Sequence, residues 1–295
     1  MTMESTGSLT DTLKIMISSP LACLVTAAVV AATGVFRVAV GQEARPESRP
    51  FFQAADVVAL VGGEDVVVMR DDPRLELLVL RQPGLAGVKF RNLAFEGDTV
   101  FEQFRDLNFP TWEDQMQQVG ATVVVAQFGK MESLDGPAGV PAFARAYEQL
   151  IDRMAGGTRR VGLLAALPPK GADPAAVAPY NDATRALAAR RGWVFVDGAA
   201  RPLAEAAAES FGIRLAPPAS PELVRLVRKK NELWFHYWRP QNWAFLNGDR
   251  TEQQSSRDHR DPKILWFPEE MKRWLPLVAA REKEIQETIE TDRKP

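Results

Sequence analysis

An α/β fold is predicted, a doubly wound, parallel, five-stranded sheet between helices. Three observations predict it. Short apolar runs recur at 56–62, 88–94, 122–128, 160–167 and 193–197, each rich in Val, Leu or Phe. Their apolarity is continuous rather than alternating, which means burial on both faces, as in a parallel sheet. Amphipathic stretches at 111–119, 140–154, 175–191 and 201–209 separate the later runs, and strand–helix alternation of this kind builds a layered α/β domain. In such sheets ligands gather at the carboxyl ends of the strands. The first run belongs to "ALVGGEDVVVM", Ala59 to Met69, a buried strand entering a tight Gly turn.

Composition narrows the chemistry. The chain has 295 residues, is 46% hydrophobic and carries a formal charge of −2, which gives no electrostatic reason to expect nucleic acid as a partner. Cys23 is the single cysteine, so the chain has neither an internal disulfide framework nor a Cys-rich metal site, and no Cys-x-x-Cys-His for covalent haem. With His236 and His259 the only histidines, a multi-His metal centre is not expected. No cofactor is predicted.

Four segments divide the chain. Residues 1–41 hold 22 uncharged positions between Lys14 and Arg37. As a helix these span roughly 30 Å, the hydrocarbon thickness of a bilayer, and 15–36 is read as a membrane anchor in preference to a cleaved signal. Residues 42–54 form a polar, Pro-containing linker, 55–228 the α/β domain, and 229–295 an aromatic-rich extension. Five of the seven Trp lie in that extension. A final helix is expected over 268–291, its charged end projecting into solvent or along a partner.

The strand ends carry blocks that resemble those of the SGNH (GDSL-type) hydrolase family. Gly62-Gly63-Glu64 stands where the family has Gly-Asp-Ser. Asn92 to Thr99, "NLAFEGDT", is similar to its Asn-x-Gly-x-x-Gly-Asp-Thr run, and Gly129-Lys130-Met131-Glu132 to its Gly-x-Asn-Asp or Gly-x-Asn-Glu. Phe211-Gly212-Ile213-Arg214 is the best match to its Asp-x-x-His. The resemblance covers about 170 residues and implies the flavodoxin-like three-layer arrangement. It also implies that the nucleophile position holds Glu64, the histidine position Arg214, the aspartate position Phe211, and the two oxyanion-donor positions Ala94 and Met131. None of these side chains can activate or replace a serine in acyl transfer. On this reading the chain is a pseudoenzyme, and Glu64 and Arg214 face one another as a carboxylate–guanidinium pair. Two readings stay open beside it: a divergent esterase or acyl hydrolase using Ser133 or Thr99, and a ligand-binding module for envelope glycans or lipids.

"KKNELWFHYWRPQNWAFLNGDRTEQQ", Lys229 to Gln254, resembles a tail that follows SGNH-like domains in exported proteins of planctomycete-type bacteria, some of which also carry c-type haem domains. Aromatic and Arg residues dominate interface hot spots, so Trp234, Trp238, Arg239, Trp243, Trp266 and Trp274 are the candidates for partner binding. The resulting expectation is a single-pass inner-membrane protein with a periplasmic main domain, acting as a non-catalytic scaffold or accessory subunit of a larger complex. An electron-transport or photosynthetic reaction-centre assembly is the specific expectation.

Overall fold

A computed structural model of the chain describes residues 50–105, 108–241 and 243–292. The proposed anchor at 15–36, Cys23 and most of the linker lie outside the described residues. No helix among the described residues is long and apolar enough to cross a membrane.

All five predicted strands form: β1 (Val57–Gly62), β2 (Lys89–Asn92), β3 (Val123–Gln127), β4 (Arg160–Leu164) and β5 (Val194–Val196). They pair in the order β2-β1-β3-β4-β5, parallel throughout, with Val57 opposite Lys89, Val58 opposite Val123 and Gly162 opposite Val194. This is the flavodoxin-like order, whose switch point lies between β1 and β3. Successive residues of each strand serve opposite faces. Val58, Leu60, Val123 and Val125 join one core, and Ala59, Val61, Val124 and Ala126 the other. Burial on both faces is why the sequence runs are apolar without alternation.

Between β1 and β2 come α1 (Glu64–Val67) and α2 (Arg74–Leu80). The apolar "VVVM" after the Gly turn is therefore helical, and "RLELLVL" is a buried helix with no polar face to give the helical period away. The middle helices are α3 (Trp112–Gln118), α4 (Val140–Ala155), α5 (Ala178–Arg191) and α6 (Leu203–Ser210), close to their predicted spans. Thr111 caps α3 by accepting from the Asp114 N–H, and Gly156 and Gly192 end α4 and α5 in the left-handed conformation.

The extension departs most from expectation. Helix α7 (Pro221–Trp238) runs straight through the expected boundary at 228/229. It is followed by α8 (Trp243–Leu246), α9 (Trp266–Lys272) and α10 (Trp274–Asp292). The single expected helix over 268–291 is thus two, because Pro276 lacks the N–H that would continue a helix from α9. Nor does its end project freely: Ile285 and Ile289 are buried in the main core. Helices α7 and α10 straddle the β2 edge, contributing Leu226 and Ile285 to one core and Trp234 and Val278 to the other. The Trp234 indole N–H donates to the Asn92 carbonyl at 2.8 Å, and Arg91 pairs with Glu282 at 2.5 Å. An edge strand left bare would be a template for another chain, and this pair covers it.

A buried ion pair fixes the cover. Lys230, almost wholly buried, lies 2.7 Å from Glu76 of α2, and Asn231 donates to the same carboxylate at 3.0 Å. Removing one partner of such a pair leaves a buried charge alone, whereas replacing both with apolar groups is close to neutral. Lys230→Met is therefore expected to lower unfolding free energy by about 3 kcal/mol, and Lys230→Met with Glu76→Leu to recover most of it in urea unfolding. A double variant no more stable than the single one would contradict this.

Candidate functional site

The carboxyl ends of β1, β2 and β3 meet over a small hollow. Its floor depends on Gly62, at φ +151°, where an added Cβ would stand 2.4 Å from the Gln127 carbonyl oxygen. Only glycine lets β1 turn this close to β3. Glu64 opens α1 directly above. Across from it Gly129, at φ +112°, swings the chain after β3 so that Lys130 reaches back. The Lys130 ammonium donates to Glu64 Oε2 at 2.8 Å and to Asp65 Oδ1 at 2.9 Å. That bond, and then the lysine's charge, hold the Glu64 carboxyl below its usual range. Burial works against the Lys130 ammonium, but the two carboxylates outweigh it and raise its pKa.

Glu132 is buried beneath and stitches two loops together. Its Oε1 accepts from the Val100 N–H at 2.7 Å and its Oε2 from the Gly129 N–H at 2.8 Å. Asp98, also buried, receives a two-pronged bond from Arg105, both contacts at 2.8 Å. Burial nevertheless pushes the Asp98 carboxyl up, Arg105 opposing it only in part. The Arg105 guanidinium stacks on Phe95 at 3.7 Å, and Arg239 stacks on the same ring at 4.2 Å while pairing with Glu96 at 2.7 Å. The extension thereby reaches the head of the sheet.

The predicted site residues divide between the two ends of the sheet. Glu64 and Met131 line the hollow. Ala94 is buried beside it, but its N–H donates to Asn92 Oδ1 at 3.0 Å and is spent there. Phe211 and Arg214 lie at the amino ends of the strands. Phe211 stacks on Phe51 at 4.4 Å, and the Arg214 N–H donates to Gln82 Oε1 at 3.0 Å. The expected Glu64–Arg214 pair does not form, and Lys130 takes the place of Arg214. The physical reason is α6, which carries the chain from β5 back to the amino end before residue 211. The loop that stays at the carboxyl end begins at Asp197, which pairs with Arg185 at 2.8 Å.

The two hydroxyls considered for a divergent hydrolase are engaged. The Ser133 hydroxyl donates to the Lys130 carbonyl at 2.7 Å, and Thr99 Oγ1 accepts from the Glu102 N–H at 3.1 Å. His236 is exposed beside Trp274, and His259 lies in the charged loop next to Asp258. Of the partner candidates, Trp234 and Trp238 are buried, stacked on each other at 5.7 Å, and are core rather than surface. Arg239 and Trp243 pack on Phe95 and Phe109, Trp266 lies under Arg273, and Trp274 rests on His236. Lys130, Asp65, Gln127, Asp98 and Arg105 were not singled out as site residues. The signal for Lys130 stood inside the quoted block Gly129 to Glu132, directly after a fully buried strand.

No family model matches the chain, and no curated protein matches it either. Solved structures do. A catalytic mutant of Axe2, an acetylxylan esterase from Geobacillus stearothermophilus, is 11% identical with a TM-score of 0.43, over 57% of this chain and 99% of that one. BT4096, a gut microbial diltiazem-metabolizing enzyme, is 17% identical with a TM-score of 0.41, over 56% of this chain and 42% of that one. TesA is 16% identical with a TM-score of 0.36, over 47% and 76%. SGNH/GDSL-type esterases are thus among the similar structures, at low identity.

The expectation that the chain is not an enzyme is corrected on two counts. The similar structures include an esterase and a metabolizing enzyme, so they lend a non-catalytic reading no support. Moreover, two of the five positions on which that expectation rested, Phe211 and Arg214, are not in the cleft, so their identity says nothing about its chemistry.

Asp98 yields a pH-dependent prediction. Arg105→Met leaves a buried carboxylate without its counter-charge, at a cost of about 3 kcal/mol at pH 7. Because burial holds the folded-state pKa above the unfolded value, the penalty applies above the folded pKa and is relieved as pH falls through it. The deficit relative to the parent should therefore shrink between pH 7 and pH 4 in urea unfolding. A deficit unchanged at pH 4 would rule out Asp98 as its source.

Proposed function

We propose that the chain is a membrane-tethered accessory subunit that binds another subunit of its assembly through the carboxyl rim of the sheet. The observation that carries this reading is where the exposed apolar residues lie. Phe101 and Phe104 follow β2, Met131 and Leu134 follow β3, and Leu167 follows β4. Phe104 is 81% and Leu134 61% exposed. Scattered exposed apolar residues are ordinary, but rings and aliphatic chains on three loops at one end of a sheet form a rim suited to a partner. The hollow within it has a free volume of only about 20 Å³. A drug-sized ligand needs several hundred, so contact over the rim fits better than deep capture.

The opposite end supports the same reading. The described chain begins at Pro50, and the Phe51 carbonyl accepts from Arg160 at the first residue of β4. Residues 50 and 51 thus enter the domain at the amino ends of the strands, the end opposite the rim. An electron-transport assembly is the partner complex we propose, on the strength of the tail's resemblance. Docking at the rim neither requires nor excludes turnover at the hollow.

The test is co-purification of the full chain in mild detergent from cells that make it. The parent chain should migrate in a large complex on native gels. Phe104→Ser with Leu134→Ser should release it as a single chain with its circular dichroism unchanged, since losing two apolar anchors costs about 2 kcal/mol or more each. A parent chain that migrates alone, or a double variant that stays in the complex, would sink the proposal.

A further inference from the structure

The loops of this domain are sorted by charge along the strands. Those that lead into β2, β3, β4 and β5, residues 81–88, 119–122, 156–159 and 192–193, hold Arg81 and Arg159 and no acid. Those that leave β2 and β3 at the opposite end carry Glu96, Asp98, Glu102, Glu132 and Asp135. Their bases, Arg105 and Lys130, are already committed, the first to Asp98 and the second to Glu64 and Asp65.

Part of this sorting has an ordinary cause. In a parallel α/β sheet the helices begin beside the carboxyl ends of the strands, and a helix dipole favours acids at its amino end. Glu113 and Asp114 in the first turn of α3 belong to that class, as does Asp173, which accepts from the Ala175 N–H. Glu102 and Asp135 do not. Glu102 lies in the loop well ahead of α3, beyond the single turn over which the dipole acts. Asp135 closes a 3-10 turn, Glu132–Asp135, and so stands at the end where a dipole disfavours an acid. Both residues are exposed, and among the described residues neither carboxylate has an ion pair or a hydrogen bond. What they share is position. Glu102 stands between Phe101 and Phe104 and Asp135 follows Leu134, so each free carboxylate adjoins exposed apolar residues of the rim.

We propose that the surface docking on the rim is cationic, a protein face that sets Lys or Arg side chains against Glu102 and Asp135. Those cations surround an apolar contact with Phe101, Phe104 and Leu134. The inference rests on docking at the rim and adds the charge of the partner. An anionic partner, whether a layer of lipid headgroups or a nucleic acid, meets repulsion here. Charges at the edge of an interface act chiefly on the rate of encounter and its salt dependence. Salt screens them over about 10 Å at 0.1 M and less as it rises.

The experiment uses the full chain in its complex, extracted in mild detergent, and reads on native gels the dilution at which half is released. Raising NaCl from about 50 to about 500 mM should weaken the parent complex about tenfold. Glu102→Lys with Asp135→Lys should weaken it about tenfold or more at low salt and far less at high salt. Glu102→Gln with Asp135→Asn should fall between the two. Glu287→Lys with Glu290→Lys makes the same change of net charge on α10, past the stretch beside Val88 and Lys89 at the entry of β2, and should leave the complex unchanged. Tighter association of the reversed variant, or a complex indifferent to salt or to the reversal, would overturn the cationic partner. If Phe104→Ser with Leu134→Ser still releases the chain in that case, docking at the rim survives with a partner of other charge. Release by charge reversal but not by the serine pair refutes the apolar contact, and a parent chain found alone at every salt concentration overturns both.

Discussion

The head of this domain depends on one buried carboxylate. Glu132 is buried and meets the cost of burial by accepting from two backbone N–H groups, those of Val100 and Gly129. One belongs to the loop after β2 and the other to the loop after β3, so a single side chain sets the distance between them. Charge-assisted bonds to backbone donors are among the stronger ones available to a protein. With Gly129 held, Lys130 has a fixed origin from which to span Glu64 and Asp65. With Val100 held, Phe101 and Phe104 are presented outward. The closed hollow and the apolar rim are both consequences of where Glu132 anchors these loops.

The aromatic extension acts on the same region from outside. Its tryptophans look like a binding surface in sequence, but Trp234 and Trp238 are spent on sealing the β2 edge. What they deliver to the head is Arg239, which stacks on Phe95 together with Arg105. Two guanidiniums on one ring are tolerable because each also has a carboxylate, Glu96 for one and Asp98 for the other. Arg239 thus ties the extension to the loop after β2. The extension and the α/β body share cores on both faces of the sheet, which is why no boundary falls at 228/229.

The strands were legible because parallel strands buried on both faces leave long apolar runs between polar turns. Helix α2 was not, for the same reason in reverse: "RLELLVL" is buried nearly all round and has no helical period to detect. The site was half legible. Gly62 and Gly129 stand where chain geometry demands glycine, so the blocks containing them fell at the correct ends of β1 and β3. Phe211 to Arg214 had no such anchor. The eight-residue α6, itself expected over 201–209, returns the chain from β5 to the amino end of the sheet, so a block that follows it cannot stand at a strand's carboxyl end. Asp197, closing the run "WVFVD", was the residue that marked the true end.

The two ends of the sheet are built on opposite principles, and this bears on how the domain could be used. At the amino end Asp56 gathers Thr122 and Arg160, joining β1, β3 and β4 through side chains that satisfy one another. Phe51, Phe52 and Phe211 close over that knot. The preceding chain meets the domain here, at a place where polar groups are already paired. At the carboxyl end the balance is different: four carboxylates gather around the hollow, and apolar side chains stand in solvent beside it. The chain thus enters the domain at the end where polar side chains satisfy one another, and the exposed rings and aliphatic chains of the loops after β2, β3 and β4 stand at the other.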